Sequence, residues 1–167
     1  MCGICGYINV DKSTVKGREI IKKMTEAIRH RGPDDEGFFL KDNVALGHRR
    51  LSVIDLETGH QPLTSADKSI AMIYNGEAYN FAEIKRTLSE KGHTFNTSSD
   101  TEVVLSAYRE WGTESFAKIN GMFSLAIWDD RKKRLILARD RFGKKPLYYG
   151  RFGGTFLFAS EIKSLLK

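Results

Sequence analysis

The chain has 167 residues, of which 41% are hydrophobic and 29% are charged, the balance of a globular domain with a single core. Its net charge of +6 is spread over the chain without a recognition motif, so we expect no nucleic-acid partner. No apolar run is long enough for a membrane helix, so we expect no membrane partner. Two cysteines this close in sequence cannot stabilise the fold by a disulfide bond, so we expect a reducing, cytoplasmic setting.

The chain opens with Met1, Cys2, Gly3, Ile4 and Cys5. If Met1 is removed, Cys2 carries both a thiol and a free α-amine, whose ordinary pKa values of about 8.5 and about 8 allow the amine to act as base for the thiol. The alternative is that Cys2 is only a small hydrophobic residue. The Cys-x-x-Cys spacing also fits a redox pair or half of a zinc site, but no second ligand pair accompanies it. We therefore expect no metal, with Cys5 packed in the core.

Hydrophobic periodicity predicts the elements in chain order. They are a strand over 3–10, a helix over 16–29, a hairpin over 38–40 and 44–55, a strand over 69–74, helices over 79–91, 99–111 and 114–119, strands over 122–128, 134–139, 147–149 and 155–159, and an incomplete helix over 160–166. The last four strands follow one another so closely that they predict an antiparallel meander.

Three stretches carry polar groups that suggest a ligand. Arg49 and Arg50 lie in one strand, where alternation sends one to solvent and the other inward, to a substrate carboxylate or an internal salt bridge. Asn75-Gly76 is typical of a hairpin turn, but between a strand and a helix it also offers a side-chain amide and a backbone N–H, the donors of an oxyanion hole. Asp100 begins a helix, where it is most simply an N-cap.

Motifs along the whole chain resemble one family. They are Met1-Cys2-Gly3-Ile4, Arg29-His30-Arg31-Gly32-Pro33-Asp34, Arg50-Leu51-Ser52-Val53-Ile54-Asp55, Tyr74-Asn75-Gly76-Glu77, Ser99-Asp100-Thr101-Glu102, Gly121-Met122-Phe123, and Arg139-Asp140-Arg141-Phe142-Gly143 with Lys145-Pro146-Leu147-Tyr148-Tyr149. In this order they resemble a class II glutamine amidotransferase domain, and more narrowly the glutaminase half of glutamine-hydrolysing asparagine synthetases. The resemblance implies an α+β fold of the N-terminal-nucleophile hydrolases, a four-layer αββα sandwich with two mainly antiparallel sheets.

The resemblance also implies the roles of individual residues. Cys2, freed of Met1, would attack the side-chain amide of L-glutamine, with its own α-amine as base. The Asn75 side chain and the Gly76 N–H would hold the oxyanion. The residues that the resemblance places around the rest of the substrate are Arg50 at the α-carboxylate, Glu77 and Asp100 at the α-ammonium, and Val53. It implies no metal or cofactor for this step.

Asparagine synthetases continue into a second domain with an ATP-binding Ser-Gly-Gly-x-Asp-Ser loop, which this sequence lacks. We therefore expect residues 1–167 to form one glutaminase domain of a longer protein, with ATP and Mg²⁺ needed only in the absent C-terminal synthetase domain. The sequence does not identify the molecule that accepts the ammonia. Asparagine synthetases commonly have an apolar residue at the position of Lys144, so the acceptor need not be aspartate. Oligomeric state is not readable either, and a homodimer is compatible with the sequence.

Three alternatives stay open at this point. The domain could bind glutamine without hydrolysing it when its synthetase domain is absent. It could be the glutaminase half of a sugar-phosphate or purine-pathway amidotransferase, although the strand over 50–55 argues against this. A cysteine protease would need a histidine base near Cys2, and neither His30 nor His48 lies in such a motif.

Overall fold

The structure, a computed structural model, describes residues 1–9, 17–52 and 59–167. In chain order its elements are β1 (Gly3–Asn9), α1 (Gly17–Glu26), β2 (Asp35–Lys41), β3 (Val44–Arg50), β4 (Leu63–Thr64), β5 (Ile70–Ala78), α2 (Phe81–Glu90), α3 (Asp100–Trp111), α4 (Ser115–Lys118), β6 (Gly121–Asp129), β7 (Arg134–Arg139), β8 (Tyr148–Phe152), β9 (Thr155–Ala159) and α5 (Ile162–Leu165). Short 3₁₀ turns at Arg29–Arg31 and Gly112–Glu114 follow α1 and α3.

The strands form two sheets in which every pairing is antiparallel. The first sheet has the order β2-β3-β1-β9-β8, and the second has the order β4-β5-β6-β7. Strand β1 lies in the middle of the first sheet, hydrogen-bonded to β3 on one side and to β9 on the other. The residue before β1 is therefore held at one end of this sheet.

Alternation along the strands divides the core into three apolar layers. Ile4 and Leu46 of the first sheet meet Ile73 of the second sheet in the layer between the sheets. The first sheet packs its other face on α1, for example through Cys5 against Met24. The second sheet packs its outer face on α2 and α3. This α–β–β–α order confirms the predicted α+β sandwich.

Strand β5 corrects the prediction of a turn at Asn75-Gly76. The strand continues to Ala78, because β6 pairs with it along its whole length, including Asn75 with Ser124 and Gly76 with Phe123. A Cβ atom on Gly76 would lie 2.5 Å from the Met122 carbonyl oxygen, so glycine lets the two strands approach closely. The helix that was predicted to follow directly begins at Phe81.

The predicted meander is also wrong. Strands β6 and β7 belong to the second sheet, whereas β8 and β9 pair with each other in the first sheet. The chain therefore crosses from one sheet to the other between Arg139 and Tyr148. Periodicity predicted the four strands but could not show this crossing, because it carries no information on which strands pair.

The prediction that one of Arg49 and Arg50 faces solvent is wrong, because both are buried. Arg49 lies on the face of β3 that packs against α1, where its guanidinium forms ion pairs of 2.7 Å with both Glu26 and Glu36. Arg50 has the opposite orientation and lies on the side between the sheets, as the alternation requires.

We expect Leu125→Ala to lower the free energy of unfolding by about 2–5 kcal/mol, because Leu125 is fully buried between β5, β7 and the helices. Leu166→Ala is the matched control, since Leu166 is 73% exposed and its loss should cost under about 0.5 kcal/mol. Urea unfolding of both variants measures the difference. Equal unfolding midpoints for the two variants would contradict this packing.

Candidate active site

One end of the space between the two sheets is polar. On β3, Val44 and Leu46 contribute to the apolar layer there, and the same alternation places His48 and Arg50 on that side. On β5, Ala71 and Ile73 belong to this layer, and Asn75 and Glu77 continue the same face. The apolar layer between the sheets therefore gives way to polar residues where these strands end.

A cavity of about 260 Å³ opens at this end. The residues on its wall are Met1, Cys2, Arg50, Leu51, Gly59, Gln61, Tyr74, Asn75, Gly76, Glu77, Ser99, Asp100, Thr101, Met122 and Lys145. All the site residues predicted from the sequence lie on this wall except Val53, which is outside the described residues. Three elements, β3, β5 and α3, and the segment before β1 thus bring the predicted residues to one place.

Cys2 is held by contacts on both sides of its peptide. Its carbonyl oxygen accepts a hydrogen bond of 3.0 Å from Arg31 Nε, and Arg31 Nη1 in turn pairs with Glu161 at 3.0 Å. Two residues further on, the N–H of Ile4 in β1 donates to Ser160 Oγ at 3.0 Å. The Cys2 Sγ lies 3.8 Å from the Leu51 carbonyl oxygen, which is a weak contact for a thiol.

Arg31 has a positioning contact that the sequence did not assign to it. Arg31 belongs to one of the motifs that resemble the family, but the resemblance gave it no role. The sequence carries no signal that identifies the acceptor of its hydrogen bonds. The structure identifies that acceptor as the Cys2 carbonyl.

Asn75 offers an unused hydrogen-bond donor. The residue is only 2% exposed, and among the described residues its Nδ2 has no hydrogen-bond partner. A buried amide without a partner costs about 1–3 kcal/mol, so such groups are typical of sites that receive a ligand. The donor lies on the same wall as Cys2, as an oxyanion hole requires.

Asp100 is not the N-cap of α3, which corrects the simplest interpretation. Ser99 caps the helix through a 3.1 Å bond from the Thr101 N–H. Asp100 Oδ2 instead accepts from the Ala78 N–H at 2.9 Å and from the Tyr74 hydroxyl at 3.2 Å. The carboxylate therefore connects α3 to β5 at the edge of the cavity.

Burial raises the pKa of Asp100, and although its hydrogen bonds oppose this, the negative charge of Glu77 adds to the rise. Two carboxylates on one wall form a good site for a cation. Arg50 adds a positive charge to the same wall. The cavity is thus suited to a ligand with one positive and one negative group.

No histidine lines this cavity in the described part of the chain. His48 lies beneath it, fully buried, with Nε2 donating to the Tyr74 carbonyl oxygen at 3.2 Å. Burial lowers the pKa of His48 to about 3, so this ring stays neutral. Gln61 bonds the backbone of the same tyrosine through both ends of its amide, at 2.7 and 3.1 Å. Together they fix β5 just before Asn75.

Across the described residues, no group of three or more His, Cys, Asp or Glu side chains could hold a metal ion. In the same residues no helix is both long and apolar enough to cross a membrane.

A model of the glutamine amidotransferase domain family matches residues 1–167. The chain belongs to this family. Asparagine synthetase [glutamine-hydrolyzing] 1 of Bacillus subtilis is 47% identical over 99% of this chain and 27% of that protein. Asparagine synthetase [glutamine-hydrolyzing] of Zea mays is 41% identical over 99% of this chain and 28% of that protein. The chain spans about a quarter of the length of these relatives.

A solved structure of glutamine phosphoribosylpyrophosphate amidotransferase from Bacillus subtilis, complexed with ADP and GMP, has the same fold. It aligns with a TM-score of 0.79 over 98% of this chain and 43% of that one, at 24% identity. This likeness confirms the predicted α+β fold.

We expect iodoacetamide at about pH 8 to label Cys2 and to leave Cys5 unmodified in the folded protein. Cys2 is partly exposed on the cavity, whereas burial raises the pKa of the Cys5 thiol to about 12 and keeps it protonated. Peptide mass mapping before and after unfolding measures the two sites. Cys5→Ala is the control and should label as the unchanged chain does. Equal labelling of both cysteines in the folded state would contradict the placement of Cys5.

Proposed function

We propose that this domain hydrolyses L-glutamine to L-glutamate and ammonia through a thioester on Cys2. One observation carries the proposal. A single cavity is lined by Cys2, by the buried Asn75 amide that has no partner among the described residues, and by Arg50 opposite in charge to Glu77 and Asp100. A nucleophile, an oxyanion donor and a recognition site for an amino acid are thus combined. The family match and the two glutamine-hydrolysing relatives support the same reaction.

The charged residues would bind the zwitterionic end of glutamine. Arg50 would bind the α-carboxylate in the bidentate manner that guanidinium groups favour. Glu77 and Asp100 would bind the α-ammonium, which would relieve the repulsion between these two carboxylates. Val53 belongs to the proposed binding set through the family resemblance alone. A cavity of about 260 Å³ suits a ligand of amino-acid size.

The chemistry would begin with Cys2 after removal of Met1. The α-amine of Cys2 takes the thiol proton while the sulfur attacks the side-chain amide carbon of glutamine. The carbonyl oxygen becomes an oxyanion, which accepts hydrogen bonds from Asn75 Nδ2 and the Gly76 N–H. The ammonium of Cys2 then returns its proton to the departing nitrogen, and ammonia leaves as the thioester forms.

Water completes the reaction. The neutral α-amine of Cys2 takes a proton from a water molecule as its oxygen attacks the thioester carbon, and the same two donors hold the second oxyanion. Breaking the carbon–sulfur bond returns the proton to sulfur and releases L-glutamate. The balance is one glutamine and one water to one glutamate and one ammonia, with no metal or cofactor required for this step.

We expect Cys2→Ala to abolish glutamine hydrolysis, because the variant has no thiol to form the thioester. Intact mass should first establish that Met1 has been removed. Release of ammonia and glutamate is then measured for both chains, and the glutamine-like electrophile diazo-oxo-norleucine should add once, at Cys2, in the unchanged chain alone. Turnover that survives in Cys2→Ala would overturn the mechanism.

We expect Asn75→Asp to lower kcat by about 10²–10³, the usual cost of losing one oxyanion donor. The substitution keeps the shape of the side chain but replaces its Nδ2 donor by an acceptor. Asn96→Asp makes the same chemical change at an exposed position and should leave kcat unchanged. Steady-state ammonia release measures both variants. A loss confined to KM in Asn75→Asp would assign the residue to substrate binding instead.

For the longer protein, we propose that the ammonia serves an ATP-dependent amidation such as asparagine synthesis from aspartate, as the names of the relatives suggest. ATP and Mg²⁺ would act in a C-terminal synthetase domain, and the protein would work in the cytoplasm. A homodimer is part of this proposal. Because the chain spans about a quarter of the length of the relatives, the acceptor can be tested only in the full-length protein. The test measures whether asparagine forms when that protein is given glutamine, ATP, Mg²⁺ and aspartate.

A glutamine-binding module is the second candidate, and it is the function expected of a chain that keeps Met1. Met1 lines the cavity, with its Sδ 3.3 Å from Lys145 Nζ, and a chain that keeps Met1 has a peptide group where the mechanism needs an amine. Calorimetry with glutamine distinguishes the two candidates. Heat of binding without ammonia release from a chain that lacks Met1 would favour the binding module.

A further inference from the structure

Lys145 is a buried cation on the cavity wall that the proposed mechanism does not use. It is only 6% exposed, and in the described residues its Nζ is bonded only to Met1 Sδ, at 3.3 Å. A thioether is a weak acceptor, and no carboxylate among the described residues forms an ion pair with this ammonium. Buried lysines are normally paired, so this one is placed at a cost.

The loop before Lys145 fixes its position. Asp140 accepts the N–H groups of Phe142, Lys144 and Lys145, and also that of Phe123 on β6. Burial alone would raise the pKa of Asp140, but these four donors outweigh it and keep that pKa below its ordinary value.

Arg139 completes this anchoring, with Nε donating to the Lys145 carbonyl oxygen at 2.6 Å and Nη2 to that of Gly143. These bonds fix the direction in which the Lys145 side chain leaves the backbone, and burial restricts where that side chain lies. That place is the cavity wall beside Met1.

We propose that Lys145 is a positioning residue for Cys2, whose positive charge keeps the Cys2 α-amine neutral and able to act as base. The proposal rests on the proposed glutaminase function and adds a residue to it. Lys145 Nζ lies 3.3 Å from the Met1 side chain, the Met1 carbonyl carbon is bonded to the Cys2 nitrogen, and Lys145 and Cys2 line the same cavity. A positive charge on the same cavity wall disfavours the protonated amine and favours the thiolate.

The other charges around the cavity show why the Cys2 α-amine needs the positive charge of Lys145. Glu77 and Asp100 favour the protonated amine and so oppose its use as a base, while Arg50 acts in the same direction as Lys145. Substrate binding would occupy those three residues with the two charged groups of glutamine.

Arg31, the remaining cation beside Cys2 among the described residues, is paired with Glu161. Lys145 is therefore the cation of the described wall that stays unneutralised beside Cys2 when substrate is bound.

The test compares the pH dependence of kcat for glutamine hydrolysis, which reports the substrate-bound enzyme, in chains from which intact mass shows Met1 to be absent. In Lys145→Met we expect the acid limb to move up by about one pH unit, so that kcat near neutral pH falls by up to about tenfold and recovers at higher pH. Lys145→Arg keeps the charge and should keep the profile. Lys144→Met is the matched control, because its side chain is exposed next to Lys145, and it should behave as the unchanged chain.

A second readout needs no glutamine. The rate of Cys2 alkylation by iodoacetamide, followed against pH, should shift in the same direction in Lys145→Met, because the thiol and the amine titrate together. Lys145→Gln carries the same expectation and serves if the methionine variant does not fold. An unmoved alkylation profile in both uncharged variants would overturn the role of Lys145 while leaving the glutaminase intact. A chain without Met1 that alkylates normally but releases no ammonia would instead overturn the proposed function.

Discussion

The pairing of β1 with a neighbour on each side is the constraint on which the site depends. Backbone hydrogen bonds to β3 and β9 fix the strand that begins one residue after Cys2. Gly6 makes this close packing possible, since a Cβ atom there would lie 2.5 Å from the Ala45 carbonyl oxygen. A chain terminus usually frays, so a nucleophile near one needs such support. Arg31 adds to this support by donating a hydrogen bond to the Cys2 carbonyl oxygen.

The sequence predicted the members of the site better than their local geometry. Asn75 and Gly76 were expected at a turn because Asn-Gly is a strong local signal, yet β5 runs straight through them. Pairing with β6 decides the backbone there, and pairing between distant segments leaves no mark in a short window. The predicted oxyanion donor does not depend on a turn, since strand alternation alone brings Asn75 to the cavity wall.

Charge was the hardest feature to interpret from the sequence. Alternation separated Arg49 from Arg50 correctly, but it could not show that α1 covers the outer face of β3 and offers Glu26 to Arg49. Lys145 was visible only as part of a motif, because its importance arises from burial and from the lack of a carboxylate beside it among the described residues. Both facts depend on how the chain crosses between the sheets, which periodicity cannot reveal.

The cavity holds groups that are unfavourable in the empty state. Asn75 has an unpaired donor within the described structure, the pKa of Asp100 is raised by burial and by Glu77, and Lys145 is a cation without a carboxylate partner. The buried Arg49, by contrast, is paired with two carboxylates. A place where several such local rules fail together is expected to be functional. Under the proposed function, glutamine would supply what each group lacks: an ammonium for the carboxylates and an oxyanion for the amide. The free energy of folding lost at these unpaired groups would then be offset when the substrate binds. The offset would be largest in the transition state, when the oxyanion forms.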